Sequence, residues 1–434
     1  MRQVYIILIA TLWLLAMPTT AQLYFPPLQG GAWETVSADE LGWCTENLDS
    51  LYAFLDRNGT KAFLVLKDGK IAIEWYADQF EQTDTWYWAS AAKTVTATLV
   101  GIARRNGDLE LSDRSSRFLG EGWSSLTKAQ EDKITIRHHL TMTTGLDDGV
   151  DDVDCTVDTC LLYKADAGTR WAYHNAPYTL LDKVINRATG SSLNIYYSKK
   201  LREPIGMDGV FVKQGFNNVL ISTPRSMARF GLLAMNNFVW DGTPILDDEN
   251  YVRAMLNTSQ DLNQSYGYLW WLNGKSSFMI PSLQLVFPGP LMPNAPSDAV
   301  NALGKNNQIL SVVPSEGLVV VRMGDAAGED GSLVPTVFPN NMWAALRKVI
   351  CNISSVREGA GSSEQRAASM IISNGLLQLP EGQRSDVEVY DVTGVLRLRL
   401  SDVAVFDVSA LSTGVYVMRI AGTEQPTMLL ITSQ

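Results

Sequence analysis

Ser90-Ala91-Ala92-Lys93, directly after the aromatic run Trp86-Tyr87-Trp88, is the stretch that decides the fold of this 434-residue chain. Apolar residues recur behind it at helical spacing, at Val95, Leu99, Ile102 and Ala103. They predict a helix that begins near Ser90 and places Lys93 one turn further along the same face. A serine hydroxyl attacks a carbonyl carbon only when a base removes its proton. The stretch therefore predicts a nucleophilic serine beside its base.

The same four-residue spacing occurs a second time, at Ser125-Leu126-Thr127-Lys128. This copy lies in the polar run 124–133 and has no apolar helix behind it, so we interpret it as a solvated surface turn. The spacing alone is more typical of an N-cap followed by an exposed helical lysine. Other residues must show which interpretation applies to Ser90.

Length and charge limit the class of protein. A chain of 434 residues can form one large catalytic domain with a small domain attached. The net charge of −11 argues against a nucleic-acid partner, because a phosphate backbone requires a basic face. The acidic run 147–154 does not have the spacing of an EF-hand calcium loop, and we interpret it as a solvated loop.

Residues 1–21 have the features of a signal peptide. Arg2 precedes the apolar run 4–17, and Thr19-Thr20-Ala21 provides small residues for cleavage before Gln22. No later segment is apolar over enough residues to span a bilayer. We therefore expect an exported protein, periplasmic, cell-surface or secreted, whose mature form has no integral membrane segment.

The four cysteines are disulfide candidates in an exported chain. Cys155 and Cys160 bracket a short loop that a local bridge could close. Cys44 lies in a predicted first helix that begins at Ser37-Ala38-Asp39-Glu40, and Cys351 ends a predicted helix over 341–351. If these helices pack side by side, a bridge joins the two ends of the main domain; two buried free thiols are the alternative.

Predicted elements indicate an α+β domain with a small β-domain after it. A hairpin at 62–66 and 71–76 and two strands at 309–313 and 318–323 flank a mostly helical middle, so an antiparallel sheet must unite distant segments. We expect this domain at 22–352, a Gly/Ser-rich linker at 353–372, and a β-sandwich of short strands at 373–434.

Two further motifs distinguish Ser90 from the copy at Ser125. Tyr173-His174-Asn175 places a phenol and an amide on one side of an extended segment, where they can shuttle a proton and orient a lysine. Lys305, in Gly304-Lys305-Asn306-Asn307-Gln308, precedes an apolar strand; a cation there would lower the pKa of Lys93. Alone, each motif is more typical of an ordinary loop.

Together and in this order, the three motifs resemble those of the serine β-lactamase and penicillin-binding-protein superfamily. Tyr-x-Asn as the second motif resembles class C β-lactamases, D-alanyl-D-alanine peptidases and related esterases and amide hydrolases. The resemblance covers about residues 40–352. It implies an antiparallel sheet flanked by helices with a helical subdomain, and a hydrolase that needs no cofactor and no metal.

The resemblance also implies roles for individual residues. Ser90 is acylated, Lys93 and Tyr173 share the proton transfers, Asn175 orients Lys93 and substrate, and Lys305 matches the basic residue of the third motif. The Gln308 N–H completes an oxyanion hole with that of Ser90. Asn307 replaces a glycine, and we expect its side chain to hinder bulky β-lactams. Trp88 and Trp271 are candidates for an apolar substrate pocket, with core packing as the alternative.

The C-terminal region resembles the sorting domain of type IX secretion cargo in Bacteroidetes, through Val389-Tyr390-Asp391-Val392-Thr393-Gly394 and Leu411-Ser412-Thr413-Gly414-Val415-Tyr416. This implies the export machinery as a partner. A small adhesive module is the alternative.

The leading hypothesis is thus an exported serine hydrolase that acts on a small ester or amide through an acyl-enzyme on Ser90. Two other functions stay open: a catalytically silent protein that binds peptidoglycan or peptides in the same cleft, and an adhesin that acts through the C-terminal module.

Overall fold

A computed structural model of the chain describes residues 23–327 and 336–351, and in the C-terminal part 372–373, 376–379, 384–391, 396–411, 414–421 and 427–431. The expected signal peptide at 1–21 lies outside the described residues, as does the expected linker apart from its last residue. Parts of both motifs of the sorting-domain resemblance also lie outside them.

Residues 23–351 combine an antiparallel sheet with helices on both sides, which confirms the predicted α+β class. The strands in the described part of this region are β1 (Thr60–Lys67), β2 (Lys70–Tyr76), β3 (Trp86–Tyr87), β4 (Val210–Gln214), β5 (Asn217–Ser222), β6 (Val239–Trp240), β7 (Thr243–Pro244), β8 (Trp271–Leu272), β9 (Ser277–Phe278), β10 (Phe287–Pro288), β11 (Val300–Gly304), β12 (Gln308–Val313) and β13 (Leu318–Gly324). The helices are α1 (Leu48–Arg57), α2 (Lys93–Arg105), α3 (Ser116–Leu119), α4 (Lys128–Glu131), α5 (Ile136–Leu140), α6 (Asn175–Thr189), α7 (Leu193–Tyr197), α8 (Pro224–Met235), α9 (Glu249–Met255) and α10 (Val337–Ile350).

The central sheet has the order β2-β1-β13-β12-β11-β8. β1 pairs antiparallel with β13, and Val65 lies opposite Val320, so sequence-distant strands meet as predicted. β12 is buried along its whole length between β13 and β11. β11 was not predicted, because Asn301 interrupts its apolar pattern. In the fold, Asn301 is buried and its Oδ1 accepts a hydrogen bond from Ser311 on β12.

The first helix differs from the prediction. The contacts expected of a capping box at Ser37 do form: Ser37 N–H donates to Glu40, and Glu40 N–H donates to Ser37 Oγ. The chain then turns at Gly42, whose φ of 67° is left-handed, and the helix α1 begins only at Leu48. Glycine adopts this conformation without steric cost, so it ends the turn before a helix can propagate.

Both predicted disulfides are present. Cys44 is bonded to Cys351 across 307 residues, and Cys155 is bonded to Cys160. The longer bridge joins the segment before α1 to the residue after α10, and the Cys44 N–H donates to the Val349 carbonyl. The two ends of the main domain are therefore linked covalently.

The C-terminal residues form two small sheets that share one apolar core. The strands are β14 (Ile372–Ser373), β15 (Leu376–Gln378), β16 (Ser385–Asp391), β17 (Leu396–Val403), β18 (Val405–Asp407), β19 (Gly414–Ile420) and β20 (Thr427–Ile431). Their orders are β14-β15-β18 and β17-β16-β19-β20. Leu377 and Phe406 from the first sheet pack with Val389 and Met418 from the second, as expected of a small sandwich.

In the described part of the chain, every helix is too short or too polar to cross a membrane.

Candidate active site

Ser90 lies in a 3-10 turn over Ala89–Ala92 that leads directly into α2. The strand β3 brings the chain to this turn: Trp86 pairs with Ser222 of β5, and the Trp88 N–H donates to the Leu220 carbonyl. The helix predicted after Ser90 is confirmed, although the serine itself is in its 3-10 first turn. Ser90 is partly exposed, so its hydroxyl is accessible at the surface of a rigid element.

The Lys93 ammonium is the centre of the site. Its Nζ lies 2.8 Å from Ser90 Oγ and 2.8 Å from Asn175 Oδ1. It also lies 5.1 Å from the centroid of the Tyr173 ring and 4.3 Å from that of Tyr178. The first motif and the second motif therefore meet at one lysine.

Burial sets the protonation of Lys93. Only 3% of the residue is exposed, and this burial lowers the pKa of Lys93 to about 7, while the carboxylate of Asp154 acts in the opposite direction. Removal from water disfavours the ammonium form. The pKa is lowered, as the sequence predicted, but the cause is burial and not a neighbouring cation at Lys305.

The Tyr173 hydroxyl is buried and faces Ser90. It makes no hydrogen bond within the described part of the chain, and burial raises the pKa of the phenol more than the Ser90 hydroxyl lowers it. Its ring stacks on Trp271 with centroids 5.6 Å apart and meets the ring of Tyr266 edge-on. The phenol is therefore neutral, fixed in position and available to exchange a proton.

Asp154 is a site residue that the sequence did not single out. Its Oδ1 accepts a hydrogen bond of 2.8 Å from Asn175 Nδ2, so the polar chain runs from Ser90 through Lys93 and Asn175 to this carboxylate. Asp154 ends the acidic run that was interpreted as a solvated loop. That interpretation is wrong for Asp154, and also for Asp148, whose side chain is 11% exposed and pairs with Arg170. Nothing in the sequence distinguishes Asp154 from the other aspartates of the run.

The third motif lies at the end of β11. A Cβ on Gly304 would lie 2.4 Å from the Trp88 carbonyl oxygen and 3.0 Å from the Ala91 nitrogen. Only glycine permits this approach of two backbones. Gly304 is thus the residue through which the sheet contacts the Ser90 turn. In the sequence, this contact is marked by a glycine directly before Lys305.

Lys305 and Gln308 occupy different places from those expected. Lys305 is exposed at the start of the turn between β11 and β12, and its side chain makes no hydrogen bond or ion pair with the described residues. Gln308 begins β12, one strand beyond β11, opposite Gly304. Its side-chain amide donates to the carbonyls of Asn306 and Gly324. The structure brings Gly304, not Gln308, against the nucleophile turn.

Asn307 belongs to the turn and not to the strand beside Ser90. Its φ is 60°, a left-handed conformation that asparagine tolerates better than most residues, which explains how it replaces glycine. Its side chain is 1% exposed, with Oδ1 unpaired among the described residues. The expectation that this side chain projects from a strand into the path of bulky substrates is therefore not met.

Arg322 of β13 holds this turn from inside the sheet. The buried guanidinium donates to the carbonyls of Asn306 and Asn307, to those of Asn58 and Asp325, and to Thr60 Oγ1. These contacts use all five of its N–H donors. Burial lowers the pKa of Arg322 to about 9, so it stays charged at neutral pH.

Trp88 and Trp271 are core residues. Trp88 is fully buried, and its indole N–H donates to Ser222 Oγ. Trp271 is 2% exposed and supports Tyr173 from behind. The alternative of core packing is therefore correct for both. Lys128, in the second copy of the first motif, is exposed and paired with Glu121, as expected of a solvated surface.

Among the described residues, no three His, Cys, Asp or Glu side chains are arranged to hold a metal ion. The polar groups at Ser90 are a hydroxyl, a lysine amine, a phenol and an amide. This set suits proton transfer and nucleophilic attack on a carbonyl carbon.

Comparisons with known proteins concern the fold and the family of this chain. A search of curated proteins gives no match. Among solved structures, a putative 6-aminohexanoate-dimer hydrolase from Bacillus anthracis is similar at 18% identity, with a TM-score of 0.55, over 75% of this chain and 89% of that one. A putative β-lactamase from Bacteroides dorei is similar at 16% identity, with a TM-score of 0.55, over 71% of this chain and 99% of that one.

A third similar structure is EstCE1, described as a hydrolase with promiscuous acyltransferase activity, at 13% identity and a TM-score of 0.51, over 71% of this chain and 99% of that one. At these identities the likeness concerns the fold. The model of the β-lactamase family matches residues 56–334, which include Ser90, Lys93, Tyr173 and Asn175. The chain therefore belongs to the β-lactamase family of hydrolases.

Proposed function

We propose that this protein is an exported serine hydrolase that forms an acyl-enzyme on Ser90 and releases it to water, with a small ester or amide as substrate. The observation that carries the proposal is the contact of Ser90 Oγ with a lysine that is buried and has a pKa of about 7. Such a lysine is neutral in a large fraction of molecules at neutral pH and can act as a base.

In the first step, the neutral amine of Lys93 takes the proton of Ser90 Oγ while that oxygen bonds to the substrate carbonyl carbon. The distance of 2.8 Å suits this transfer without movement of either residue. Electrons of the carbonyl double bond move onto its oxygen, which gives a tetrahedral intermediate with a negative charge.

In the second step, the intermediate collapses and the bond to the leaving group breaks. The leaving oxygen or nitrogen needs a proton, and the Tyr173 hydroxyl can pass it from the Lys93 ammonium because it faces Ser90 and has no competing partner among the described residues. The same two groups then activate the water that hydrolyses the acyl-enzyme.

We propose that the oxyanion is bound by the Ser90 N–H together with the backbone at the end of β11, at Gly304 and Lys305. The support is the close approach of Gly304 to the Ser90 turn. This replaces the expected donor Gln308, which lies one strand further away. Preorganised backbone donors of this kind stabilise the charge that develops during attack.

The substrate class rests on the chemistry of the site and on its fold. The acyltransferase activity named for EstCE1 is what an acyl-enzyme on this fold allows, and the putative 6-aminohexanoate-dimer hydrolase from B. anthracis has a similar fold. The proposal of export rests on residues 1–21, and that of type IX sorting on residues 389–394 and 411–416. N-terminal and C-terminal sequencing of the protein recovered from a culture medium tests both.

Labelling with a fluorophosphonate probe, followed by intact mass and turnover assays on an ester and amide panel, tests the nucleophile. We expect one adduct on the wild type and none on Ser90→Ala. Ser125→Ala is a matched control, because Ser125 has the same spacing to a lysine but lies exposed on the surface. An unlabelled wild type that hydrolyses no more of the panel than Ser90→Ala does would refute the proposal.

A further inference from the structure

The loop before Cys155 docks onto the first turn of α6, beside the lysine of the site. The Ala176 N–H donates to the Val153 carbonyl at 3.0 Å, and Asn175 Nδ2 donates to Asp154 Oδ1 at 2.8 Å. The bridge between Cys155 and Cys160 closes the loop on its other side, and Cys155 is buried. Asp154 is thus held in place by backbone and covalent contacts on both sides.

Asp154 decides which end of the Asn175 amide faces Lys93. A carboxylate only accepts hydrogen bonds, so it pairs with the NH2 end of an amide and never with its oxygen. With Nδ2 bound to Asp154, Oδ1 must point away, and it lies 2.8 Å from Lys93 Nζ. In the opposite orientation, the NH2 group would face an ammonium and repel it.

This orientation matters most when Lys93 is neutral. A neutral amine has two N–H bonds and one lone pair, and Asn175 Oδ1 can take only an N–H. An N–H is therefore held on Asn175, which leaves the lone pair free for the proton of Ser90. An amide that presented its own N–H would instead compete with Ser90 for that lone pair.

We propose that Asp154 is a positioning residue of the hydrolase, which acts through Asn175 to keep the Lys93 lone pair directed at Ser90. The inference rests on the proposed function of Ser90 and Lys93. It adds a carboxylate from the acidic loop to a site otherwise made by the three motifs.

The charge of Asp154 has a second effect, on the protonation of Lys93. Asp154 raises the pKa of Lys93 against the lowering by burial. The other titratable groups that face Lys93 are Tyr173 and Tyr178, whose pKa values burial raises, so both are neutral. On the far side, Asp154 faces His174, whose pKa burial lowers to about 4. Of these groups, Asp154 is therefore the charged one whose substitution should change the pKa of Lys93.

The test compares Asp154→Asn with Asp151→Asn in the full chain. Asp151 lies in the same loop, is exposed and loses the same charge. A second variant, Asp154→Ala, removes the acceptor as well as the charge, whereas asparagine keeps an oxygen that can accept from Asn175 Nδ2. For Asp154→Ala we expect kcat to fall at least ~10-fold with little change in KM, because orientation and not binding is lost. We also expect the pKa of Lys93 to fall by ~0.5 unit or more when an attractive charge is removed. Asp151→Asn should match the wild type in both.

The Lys93 pKa is measured by NMR titration of 13C-labelled lysines, with Lys93→Met for assignment, so that this readout does not depend on turnover. If the wild type proves inactive but Asp154→Asn still lowers the Lys93 pKa, the proposed function fails and the link between Asp154 and Lys93 stands. An unchanged Lys93 pKa in Asp154→Asn together with an unchanged kcat in Asp154→Ala, or a lower melting temperature alone, would show a purely structural role and overturn the inference.

Discussion

Gly304 approaches Trp88 so closely that a Cβ on the glycine would lie 2.4 Å from the tryptophan carbonyl oxygen. This contact joins the end of β11 to the turn that carries Ser90. It fixes the distance between the nucleophile and the backbone that would bind an oxyanion. We therefore expect a small substitution at Gly304 to lower activity more than it disturbs the rest of the fold.

Gly304→Ala should lower kcat/KM at least ~100-fold, because the strand or the Ser90 turn must move to admit the methyl group. Ester hydrolysis and circular dichroism measure the effect and check that the variant folds. Gly31→Ala is the control, since a Cβ there meets only Gln82 Nε2 at 3.8 Å. Activity of Gly304→Ala within twofold of the control would contradict the role given to this contact.

Activity should depend on pH through Lys93. Since the base must be neutral and burial lowers the pKa of Lys93 to about 7, kcat/KM should fall about tenfold per pH unit below that value. Above pH 7 the neutral amine predominates, so Lys93 causes no further rise in kcat/KM. A profile of kcat/KM from pH 5 to pH 10 measures this fall. A profile that stays flat from pH 8 down to 5 would rule out Lys93 as the base.

The two disulfides should have different effects when removed. The bridge between Cys44 and Cys351 closes a loop of 307 residues, so its loss should cost about 5 kcal/mol of stability and lower the melting temperature while activity at 25 °C persists. The bridge between Cys155 and Cys160 spans five residues, so its loss should cost less stability.

Because the shorter bridge borders the loop that carries Asp154, its removal should mainly lower kcat. Paired Cys→Ala variants, thermal unfolding and turnover measure both effects. Equal losses of melting temperature in the two double variants, with no difference in kcat, would contradict this division.

Arg322→Met should destabilise the protein by about 3 kcal/mol or more, because five acceptors lose their donor and two of them, the Asn307 carbonyl and Thr60 Oγ1, are buried. Two of these acceptors are the carbonyls of the turn after β11, so activity should also fall. Arg105→Met is a control at the surface, where solvent screens the pair with Asp247 and its loss should change stability little. Denaturant unfolding measures both, and comparable losses would contradict the prediction.

The local motifs of the site could be predicted from the sequence, because each depends on short spacing. One helical turn brings Lys93 to Ser90, and one extended residue puts Tyr173 and Asn175 on the same side. The hairpin of β1 and β2 and the strands β12 and β13 also follow from apolar patterns between turn residues. Lys128, in the second copy of the first motif, is exposed in the structure, as its polar surroundings predicted.

Contacts between distant segments could not be predicted in this way. Asp154 looks like its acidic neighbours until the loop docks on α6, and β11 is interrupted by a polar residue that only its partner Ser311 satisfies. Gly304, and not the expected Gln308, lies against the Ser90 turn, because strand order is set by pairing across the whole domain.

By itself, the sequence determined the candidate nucleophile, its candidate base and the α+β class, since these depend on residue type and local periodicity. Only the tertiary structure decided the protonation of Lys93, the orientation of Asn175 and the strand that meets Ser90. These properties arise from burial and from contacts between segments far apart in the chain, which spacing along the sequence does not encode.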